Sequence, residues 1–392
     1  MIREKIDQLT SFLQKEGIDT YLILSREDSD VVLPLLLPVH VVAQTAFFFR
    51  SDGLHYVITG KTDAPMYEEF GIFDVLTVDE DFEADFITLF SSIDIKKLAL
   101  NISEDDYLID GLTVGQYLML EKMITKELLE RIECSSDVFI REIRARKSNY
   151  EIKQIEIAVT KTCNIYAKVR EKIAIGMSET EIGDLFIPLM KEEGVINAFD
   201  EPYSYPLICI NRCGLAHRKP NSNNIFQEGD ILIIDFSVKY NNYCSDIARS
   251  FYALRKGETH ADEQSLRAFR TTVNAVSAII ENIRVGMKGW EVDTFGRSII
   301  EGGGYPTIRH ASGHQLGQQV HDGGTTLSFY NEKRPNVLSE VQLSEVYAIE
   351  PTVIQDDNNP SFIVEENIVI TEGKARVLSE RQTELYYISR TK

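Results

Sequence analysis

The spacing of apolar residues predicts a small α/β domain in the first part of the chain. Residues 2–16 are typical of an amphipathic helix that stops at Gly17. One face of this helix carries Ile2, Ile6, Leu9, Phe12 and Leu13. Short apolar runs typical of buried strands follow at 21–24, 54–58 and 98–101. Because helical and strand patterns alternate, we assign residues 1–145 to one α/β domain.

A charged segment at residues 141–148 is the predicted boundary to a second domain, residues 146–392. A long helix follows this segment, with Ile152, Ile155 and Ala158 on one face. A chain of 392 residues is long enough for two domains with separate cores.

The second domain contains a weak internal repeat. Residues 176–182 align with residues 286–292, and both copies begin with Gly-Met. Three later positions also correspond, namely Leu185, Leu189 and Gly194 with Phe295, Ile299 and Gly304. The alternative is a coincidence between two helix starts, since Ser178 and Glu181 form a capping box. We interpret the match as a duplication, because the order helix, Gly-Met, helix and acid-bearing hairpin occurs twice.

Two pairs of acids are arranged symmetrically about two predicted turns. Asp235 and Asp246 lie in apolar segments, and a hairpin folded between Tyr240 and Asn241 sets them opposite each other. Glu350 and Glu365 flank the turn-prone residues 356–359 in the same way. Each hairpin is therefore predicted to present a cross-strand acid pair.

Like charges that face each other across two strands are destabilising unless a cation neutralises them. The alternative is that these acids lie at hairpin ends and face solvent. Two pairs, each with apolar neighbours, favour a site for divalent metal over that alternative. A register slip of one residue would send a side chain to the opposite face.

The composition is that of an ordinary globular protein, with 43% hydrophobic and 26% charged residues. The net charge of -20 repels a phosphate backbone, so nucleic acid is not an expected partner. Five cysteines form an odd and sparse set, which argues for a reducing compartment. The apolar stretch 31–49 contains Pro34, Pro38, His40 and Gln44, and reads as buried strands and turns rather than a membrane span. With no signal peptide before the first helix, we expect a cytoplasmic protein.

Three of the seven histidines, His310, His314 and His321, cluster in a glycine-rich segment between the two acid hairpins. Glycine lets the backbone approach a ligand closely, so this cluster is typical of a metal ligand with flanking acid–base groups. Isolated histidines are more often surface residues or hydrogen-bonded core residues. We therefore assign no functional role to His40, His55 and His260.

These motifs resemble the M24 metallopeptidases, the pita-bread family of prolidase, aminopeptidase P, methionine aminopeptidase and creatinase. The contexts are Asp-Phe-Ser, Cys-Ser-Asp-Ile-Ala-Arg, Gly-His-Gln-Leu-Gly, Ile-Glu-Pro and Val-Glu-Glu. The resemblance implies five metal ligands, in chain order Asp235, Asp246, His314, Glu350 and Glu365. It also implies three active-site histidines, His217, His310 and His321.

The resemblance implies an α/β two-domain fold. A small amino-terminal creatinase-like α/β domain, residues 1–145, precedes a pseudo-symmetric pita-bread α+β catalytic domain, residues 146–392. The amino-terminal domain is similar to that of prolidase and aminopeptidase P, and it disfavours a methionine-removing enzyme. Creatinases lack the five metal ligands, which disfavours their chemistry. The family's amino-terminal domain commonly mediates dimers, so a homodimer is expected.

Two positions depart from the family pattern. Ser237 replaces the usual glycine after the first Asp-Phe, a change that we expect to be tolerated. Ile363 stands where the prolidase and aminopeptidase P branches usually carry arginine, two residues before the last glutamate. That arginine supports hydrogen bonding around the site, so its absence bears on full activity and on the usual substrate preference.

The resemblance implies a peptidase that cleaves the bond before proline in an Xaa-Pro peptide or dipeptide. An oxygen-rich set of ligands suits two divalent ions, with Mn²⁺ favoured and Co²⁺, Zn²⁺ or Fe²⁺ as alternatives. A hydroxide bridging two ions is the expected nucleophile. His217 would stabilise the oxyanion, His321 would hold the substrate, and Glu350 would move the proton. The rival interpretation is a weakly active or inactive scaffold protein that keeps the fold, which the loss of arginine at position 363 favours.

Overall fold

The computed structural model describes residues 2–78, 81–213, 218–355 and 359–390. The chain divides into two compact units, Met1–Arg144 and Ala145–Lys392. The predicted boundary after residue 145 falls one residue from this division. Each of four apolar clusters draws its buried residues from one unit only.

The first unit is built around a six-stranded mixed sheet in the order β4-β3-β2-β1-β5-β6. Its elements, with the last helix reaching the boundary, are α1 Ile2–Glu16, β1 Thr20–Ser25, α2 Leu33–Leu36, β2 Thr45–Arg50, β3 His55–Gly60, α3 Ala64–Phe70, β4 Phe73–Val78, α4 Phe82–Ser92, β5 Leu98–Leu100, α5 Val114–Ile124, α6 Lys126–Ile132, β6 Glu133–Ser135 and α7 Asp137–Ala145. The predicted first helix and the three predicted strands are confirmed by α1, β1, β3 and β5.

Successive residues of the central strands pack into different apolar clusters. Leu22 and Phe48 belong to one cluster, whereas Ile23 and Phe47 belong to the other. Side chains alternate between the faces of a strand, so the sheet has a core on each face. This explains why the central strands β1, β2 and β5 are buried along nearly their whole length rather than at alternate positions.

The apolar stretch at 31–49 forms strand β2, as predicted, and also the unpredicted short helix α2. Pro34 lies in the first turn of α2, where a missing N–H leaves no broken hydrogen bond. None of the helices in the described part of the chain combines the length and apolar composition that a membrane crossing requires.

The second unit contains three small sheets, in the orders β11-β10-β7, β17-β12-β9-β8 and β13-β14-β15-β16. Its helices are α8 Asn149–Arg170, α9 Glu179–Asp184, α10 Phe186–Glu193, α11 Glu263–Asn282, α12 Gly289–Gly302 and α13 Pro335–Leu338, with a 3-10 turn at Asn211–Cys213. Its strands are β7 Ile196–Asn197, β8 Leu207–Ile210, β9 Ile231–Phe236, β10 Val238–Tyr240, β11 Tyr243–Cys244, β12 Ile247–Ala253, β13 Gly313–Gln315, β14 Val346–Ile349, β15 Glu366–Val369, β16 Arg376–Val377 and β17 Tyr386–Ile388.

The internal repeat has the same backbone geometry in both copies. Gly176 and Gly286 both have positive φ, 102° and 86°. In each copy, one later residue forms two backbone hydrogen bonds with the Gly-Met pair. In the first copy Phe226 bonds to Gly176 and Met177, and in the second Val341 bonds to Gly286 and Met287. A helix start and an acid-bearing hairpin accompany both copies. The structure thus supports a duplication rather than a coincidence of two helix caps.

The first acid hairpin differs from the prediction by two positions in register. Asp235 pairs with Ala248, not with Asp246. Two aspartates that were expected to be directly opposite are therefore diagonal neighbours. Because side chains alternate with a period of two residues, a shift of two positions leaves both aspartates on the same face.

The turn explains this difference in register. Tyr240 pairs with Tyr243, so the two turn residues are Asn241 and Asn242. Both asparagines have positive φ, 46° and 66°. Tight two-residue hairpin turns require such left-handed conformations, which asparagine adopts more readily than tyrosine does.

The second acid hairpin has the predicted register. The pairing of β14 with β15 and a separate antiparallel bridge between Val353 and Phe362 share one alignment. In that alignment Glu350 lies opposite Glu365. The tip of this hairpin, residues 356–358, lies outside the described residues.

Candidate metal centre

The four acids and the histidine predicted as ligands converge in the second unit. Asp246, His314 and Glu365 each offer a ligand atom, and these atoms lie within 4.8 Å of one another. His314 Nε2 lies 3.4 Å from an Asp246 oxygen and 3.7 Å from Glu350 Oε1. The Asp235 carboxyl interacts electrostatically with Asp246, Glu350 and His314. Four carboxyl groups and one imidazole therefore form a single cluster.

The cluster is almost closed to solvent. Asp235, Asp246 and Glu365 are 6%, 3% and 2% exposed, and His314 is 9% exposed. The Glu350 side chain is 14% exposed. Carboxylates buried at this density repel one another unless protons or cations balance their charge.

The close packing of buried acids raises the pKa values of three of the carboxyl groups. Burial, together with the charge of Asp246, raises the pKa of Asp235 and of Glu365 well above the usual range. Burial also raises the pKa of Glu350 to about 7, although His314 acts in the opposite direction. For His314, burial alone would lower the pKa, but the hydrogen bond to Asp246 and the charge of Glu350 raise it to about 9. In the absence of metal, bound protons on these groups therefore reduce the repulsion between the carboxylates.

The backbone of Asp246 is clamped by a side chain from the opposite hairpin. Asn367 Nδ2 donates to the Asp246 carbonyl at 2.6 Å, and the Asp246 N–H donates to Asn367 Oδ1 at 3.1 Å. Ser237 Oγ donates to Asp246 Oδ1 at 2.5 Å. Asp246 is consequently fixed at both its backbone and its carboxylate, and the departure at position 237 supports a proposed ligand.

A tyrosine holds the strands that carry the two aspartates. The Tyr166 hydroxyl lies 2.9 Å from the carbonyl oxygen of Ile234 and 2.8 Å from that of Ile247. Ile234 precedes Asp235 in β9, and Ile247, the first residue of β12, follows Asp246. Helix α8 therefore contributes a side chain that fixes the spacing of the first acid pair.

A buried ion pair lies directly beside Glu365. Arg249 is 2% exposed and donates to the Glu365 carbonyl at 2.7 Å and to Glu366 Oε2 at 3.2 Å. The same guanidinium donates to the Glu380 carbonyl at 2.6 Å. The sequence analysis missed Arg249, although a charged residue inside the apolar strand β12 signals that a buried partner must exist.

The predicted active-site histidines have different outcomes. The ring of His321 packs edge-on against that of His314, with centroids 4.4 Å apart and planes at 64°. His310 Nε2 lies 2.8 Å from Thr352 Oγ1, two residues beyond Glu350, and His310 lines a cavity of about 190 Å³. His217 lies outside the described residues. The structure thus brings two of the three histidines to residues of the cluster or to the segment that carries Glu350.

Ile363 is 2% exposed and belongs to an apolar core cluster. Its backbone is bound by Ser250, whose Oγ donates to the Ile363 carbonyl at 2.7 Å. The residue at the position of the family arginine thus contributes packing rather than a polar group.

The donor set fits divalent metal. Four carboxyl groups and one imidazole are hard and borderline ligands, which suit Mn²⁺, Fe²⁺, Co²⁺ and Zn²⁺ in an oxygen-rich site. Asp246 and Glu365, from the two hairpins, offer ligand atoms together with His314. The raised pKa values of Asp235 and Glu365 arise mainly from burial and from mutual repulsion, which a bound cation would relieve.

The duplicated fold and the converging acids define a class, the pita-bread proteins with a cluster able to hold divalent metal. The profile described as metallopeptidase family M24 matches residues 153–372. This match covers more than half of the chain, and the chain belongs to family M24.

Curated relatives carry names from the same branch. A putative Xaa-Pro aminopeptidase of Mycoplasma genitalium is 30% identical over 243 residues, covering 61% of this chain and 64% of that protein. The Xaa-Pro dipeptidase of Pyrococcus furiosus is 28% identical over 275 residues, covering 69% of this chain and 72% of that protein. The match spans 52% of a second relative, a putative Xaa-Pro aminopeptidase of Mycoplasma pneumoniae. The chain thus matches between half and two thirds of the length of the two Mycoplasma proteins.

Solved structures share the fold over nearly the whole chain. The X-Pro aminopeptidase of Thermotoga maritima has a TM-score of 0.77 at 22% identity, covering 95% of this chain and 98% of that one. The Xaa-Pro dipeptidase of Bacillus anthracis also has a TM-score of 0.77, at 20% identity, covering 99% of this chain and all 100% of that one. At this level of identity the likeness concerns the fold alone.

Proposed function

We propose that this protein is a metal-dependent peptidase that cleaves the bond before proline in Xaa-Pro peptides or dipeptides. The observation that carries the proposal is the convergence of Asp246, His314 and Glu365 in one buried cluster with Asp235 and Glu350. The proline preference rests on the names of the relatives, which are Xaa-Pro aminopeptidases and an Xaa-Pro dipeptidase.

The five cluster residues are the proposed ligands of two divalent ions, with Mn²⁺ as the favoured metal. When bound, such ions lower the pKa of a water molecule toward neutrality and polarise the substrate carbonyl. Ser237 and Asn367 would keep the Asp246 ligand in place through their hydrogen bonds. Such outer hydrogen bonds typically affect metal affinity by about 10–100-fold.

Glu350 is the proposed proton carrier. This role rests on the resemblance; in the metal-free protein, burial raises the pKa of Glu350 to about 7, so the carboxyl holds a proton more readily than an ordinary glutamate does. Its side chain is 14% exposed, so solvent reaches part of it. In this role it accepts the proton of the attacking water and gives it to the leaving nitrogen.

His321 and His310 are the proposed substrate contacts in the described part of the chain. His321 is exposed and its ring lies against that of His314, which leaves an imidazole accessible beside the cluster. His310 opens onto a cavity that Pro306, Ile308 and Thr352 also line. The proposed role of His217, as a hydrogen-bond donor to the oxyanion, rests on the resemblance alone.

The test is hydrolysis of an Xaa-Pro dipeptide and an Xaa-Pro-Xaa tripeptide by protein that is first stripped of metal and then supplied with Mn²⁺. Asp235→Asn, which removes one charge from the cluster at nearly constant size, should abolish cleavage. Glu372→Gln, a change at an exposed acid, is the matched control and should leave the rate unchanged. The preferred peptide would choose between dipeptidase and aminopeptidase activity.

The second candidate function is a scaffold protein that keeps the fold without efficient catalysis. The apolar burial of Ile363, where the branch usually has arginine, favours it. Mn²⁺ binding without cleavage of either peptide would support this candidate. Failure to bind Mn²⁺ would contradict the metal centre itself.

The homodimer and the cytoplasmic location remain predictions from the resemblance and from the composition. Light scattering coupled to gel filtration tests the first, because a dimer has twice the chain mass of 44.6 kDa. Fractionation of the source cells tests the second.

A further inference from the structure

A lysine is buried behind the loop that carries two of the site histidines. The Lys147 side chain is only 1% exposed. Its Nζ lies 3.3 Å from Asp322 Oδ2 and 3.2 Å from Gln315 Oε1. The sequence analysis placed Lys147 in a charged boundary segment. A buried ammonium is unfavourable unless it is paired and hydrogen-bonded, so these two partners account for its position.

Both partners of Lys147 are direct neighbours of histidines. Gln315 follows His314, and Asp322 follows His321. The Asp322 N–H donates to the Gln315 carbonyl at 3.0 Å, which closes the base of the loop between them. Lys147 therefore ties together the two ends of one loop, each end carrying one histidine.

The orientation of Gln315 is fixed from its other side. Its Nε2 donates to Glu345 Oε1 at 2.8 Å, and the Tyr347 hydroxyl donates to Glu345 Oε2 at 2.5 Å. With its amide nitrogen bound to Glu345, Gln315 presents its oxygen to Lys147. The buried polar network is thus continuous from Glu345 to Lys147 and Asp322.

Asp322 also shapes the loop itself. Its Oδ1 accepts from the Gln319 N–H at 3.2 Å. A Cβ added at Gly317 would overlap the Asp322 carboxylate and approach Lys147 Cε to 3.0 Å. The loop thus packs so closely on the ion pair that only glycine fits at position 317.

We infer that Lys147 is a positioning residue that, through Asp322, sets the His321 ring against His314. His321 directly precedes Asp322, so the backbone that Asp322 anchors to Gln315 also carries the His321 side chain. The ring packing at 4.4 Å between centroids is the geometry that this tie maintains. The catalytic consequence rests on the proposed function, whereas the position of the ring does not.

The position of the ring is measured by NMR of protein labelled with ¹⁵N-histidine, without metal. The His321→Ala spectrum identifies the His321 signals. Lys147→Met should shift those signals while the signals of His55 stay in place. Lys161→Met, which removes a lysine paired with Glu193 at 3.5 Å, is the control and should shift neither. Unchanged His321 signals in Lys147→Met would overturn the inference.

A double variant separates positioning from simple charge balance. Lys147→Met alone leaves the Asp322 carboxylate buried without its cation, which is strongly destabilising and can prevent folding. Lys147→Met with Asp322→Asn removes both charges and should fold. We expect its His321 signals to differ from those of Asp322→Asn alone, in which Lys147 is still present to bind position 322. Identical His321 signals in these two variants would show that Lys147 only balances a charge, and would overturn the inference.

The kinetic test applies once Xaa-Pro cleavage is established. The double variant should lower kcat/KM about tenfold in the wild-type background, and should have no further effect in a His321→Ala background. Equal effects in both backgrounds would mean that Lys147 does not act through His321. If no peptide is cleaved, the proposed function fails, while the NMR result still decides the inference about Lys147.

Discussion

Glu350 and His314 are the residues at which protons and metal compete most directly. In the metal-free protein the pKa of Glu350 is about 7 and that of His314 is about 9, both above their ordinary values. For Glu350 the main cause is burial, and for His314 it is the carboxylates of Asp246 and Glu350. The folded protein therefore holds more protons at this site than the unfolded chain does.

The stability of the metal-free protein should fall as pH rises. Between the ordinary glutamate value of 4.5 and about 7, the folded state binds a proton at Glu350 that the unfolded chain releases. More protons bound in the folded state means a free energy of unfolding that decreases with pH. The raised pKa of His314 likewise lowers the free energy of unfolding as pH rises above the ordinary histidine value of 6.5. We expect the Tm of chelator-treated protein to be lower at pH 8 than at pH 5.

Saturating Mn²⁺ should oppose this trend, because the ligands must be deprotonated to bind metal. Glu350→Gln, which cannot ionise, should show a smaller slope of Tm against pH than wild type when metal is absent. A metal-free Tm that rises from pH 5 to pH 8 would contradict the assignment of raised pKa values.

Ser237 should matter for metal affinity although it is not a proposed ligand. Ser237→Ala removes the hydrogen bond to Asp246 Oδ1 and should weaken Mn²⁺ binding about tenfold. Ser250→Ala is the matched control, because its buried hydroxyl donates to a backbone carbonyl, that of Ile363, at 2.7 Å rather than to a proposed ligand. Calorimetric titration with Mn²⁺ measures both. Equal affinities of the two variants would show that the hydroxyl of Ser237 does not support the ligand.

At the scale of the elements, the two hairpins show what a sequence pattern can determine. The apolar runs predicted all four acid-bearing segments, and their symmetry predicted the alignment of Glu350 with Glu365. The symmetry of the charges predicts the wrong register for the first hairpin, because the turn residues, not the positions of the acids, determine the alignment of its strands. Asn241 and Asn242 are the residues best able to adopt positive φ, and that signal was present in the sequence.

The buried hydrogen-bond partners around the site cannot be predicted from the spacing of neighbouring residues. Lys147 meets Gln315 across 168 positions of the chain, and Asn367 meets Asp246 across 121. Local spacing carries no information on such pairs, since burial of a polar side chain depends on a partner supplied by the tertiary fold. The sequence thus predicts the proposed ligands, whereas the hydrogen bonds that hold these residues in place are seen only in the structure.

The asparagine turn should control the first acid pair. Asn242→Gly keeps a residue that adopts φ near 66° without strain, so Tm and Mn²⁺ affinity should equal or exceed those of wild type. Asn242→Val introduces a branched side chain where φ is positive and should lower stability by about 1–2 kcal/mol. Thermal unfolding together with Mn²⁺ titration measures both effects. A valine variant as stable as the glycine variant would contradict the turn geometry.

At the scale of the whole molecule, the chain contains two units with separate cores. Two apolar clusters lie within the first unit and two within the second. All five proposed ligands belong to the second unit. A ligand stabilises only the part of the protein whose folding creates its site.

Scanning calorimetry should therefore show two transitions, of which Mn²⁺ raises only one. Leu120→Ala, at a fully buried position in the first unit, should lower the transition that does not respond to metal. The expected loss is about 2–5 kcal/mol. A single transition that responds equally to Mn²⁺ and to Leu120→Ala would show that the two units unfold together.

The distribution of the proposed ligands along the chain also bears on how the protein is made. The first lies at residue 235 and the last at residue 365, with one acid pair in each copy of the internal repeat. While the ribosome is still translating the second copy, the nascent chain has two neighbouring aspartates but lacks His314 and both glutamates. The finished set of donors exists only after Glu365 has emerged. If these five residues bind metal as proposed, loading would be a late event in biogenesis, because an interrupted translation product would lack most of the donors.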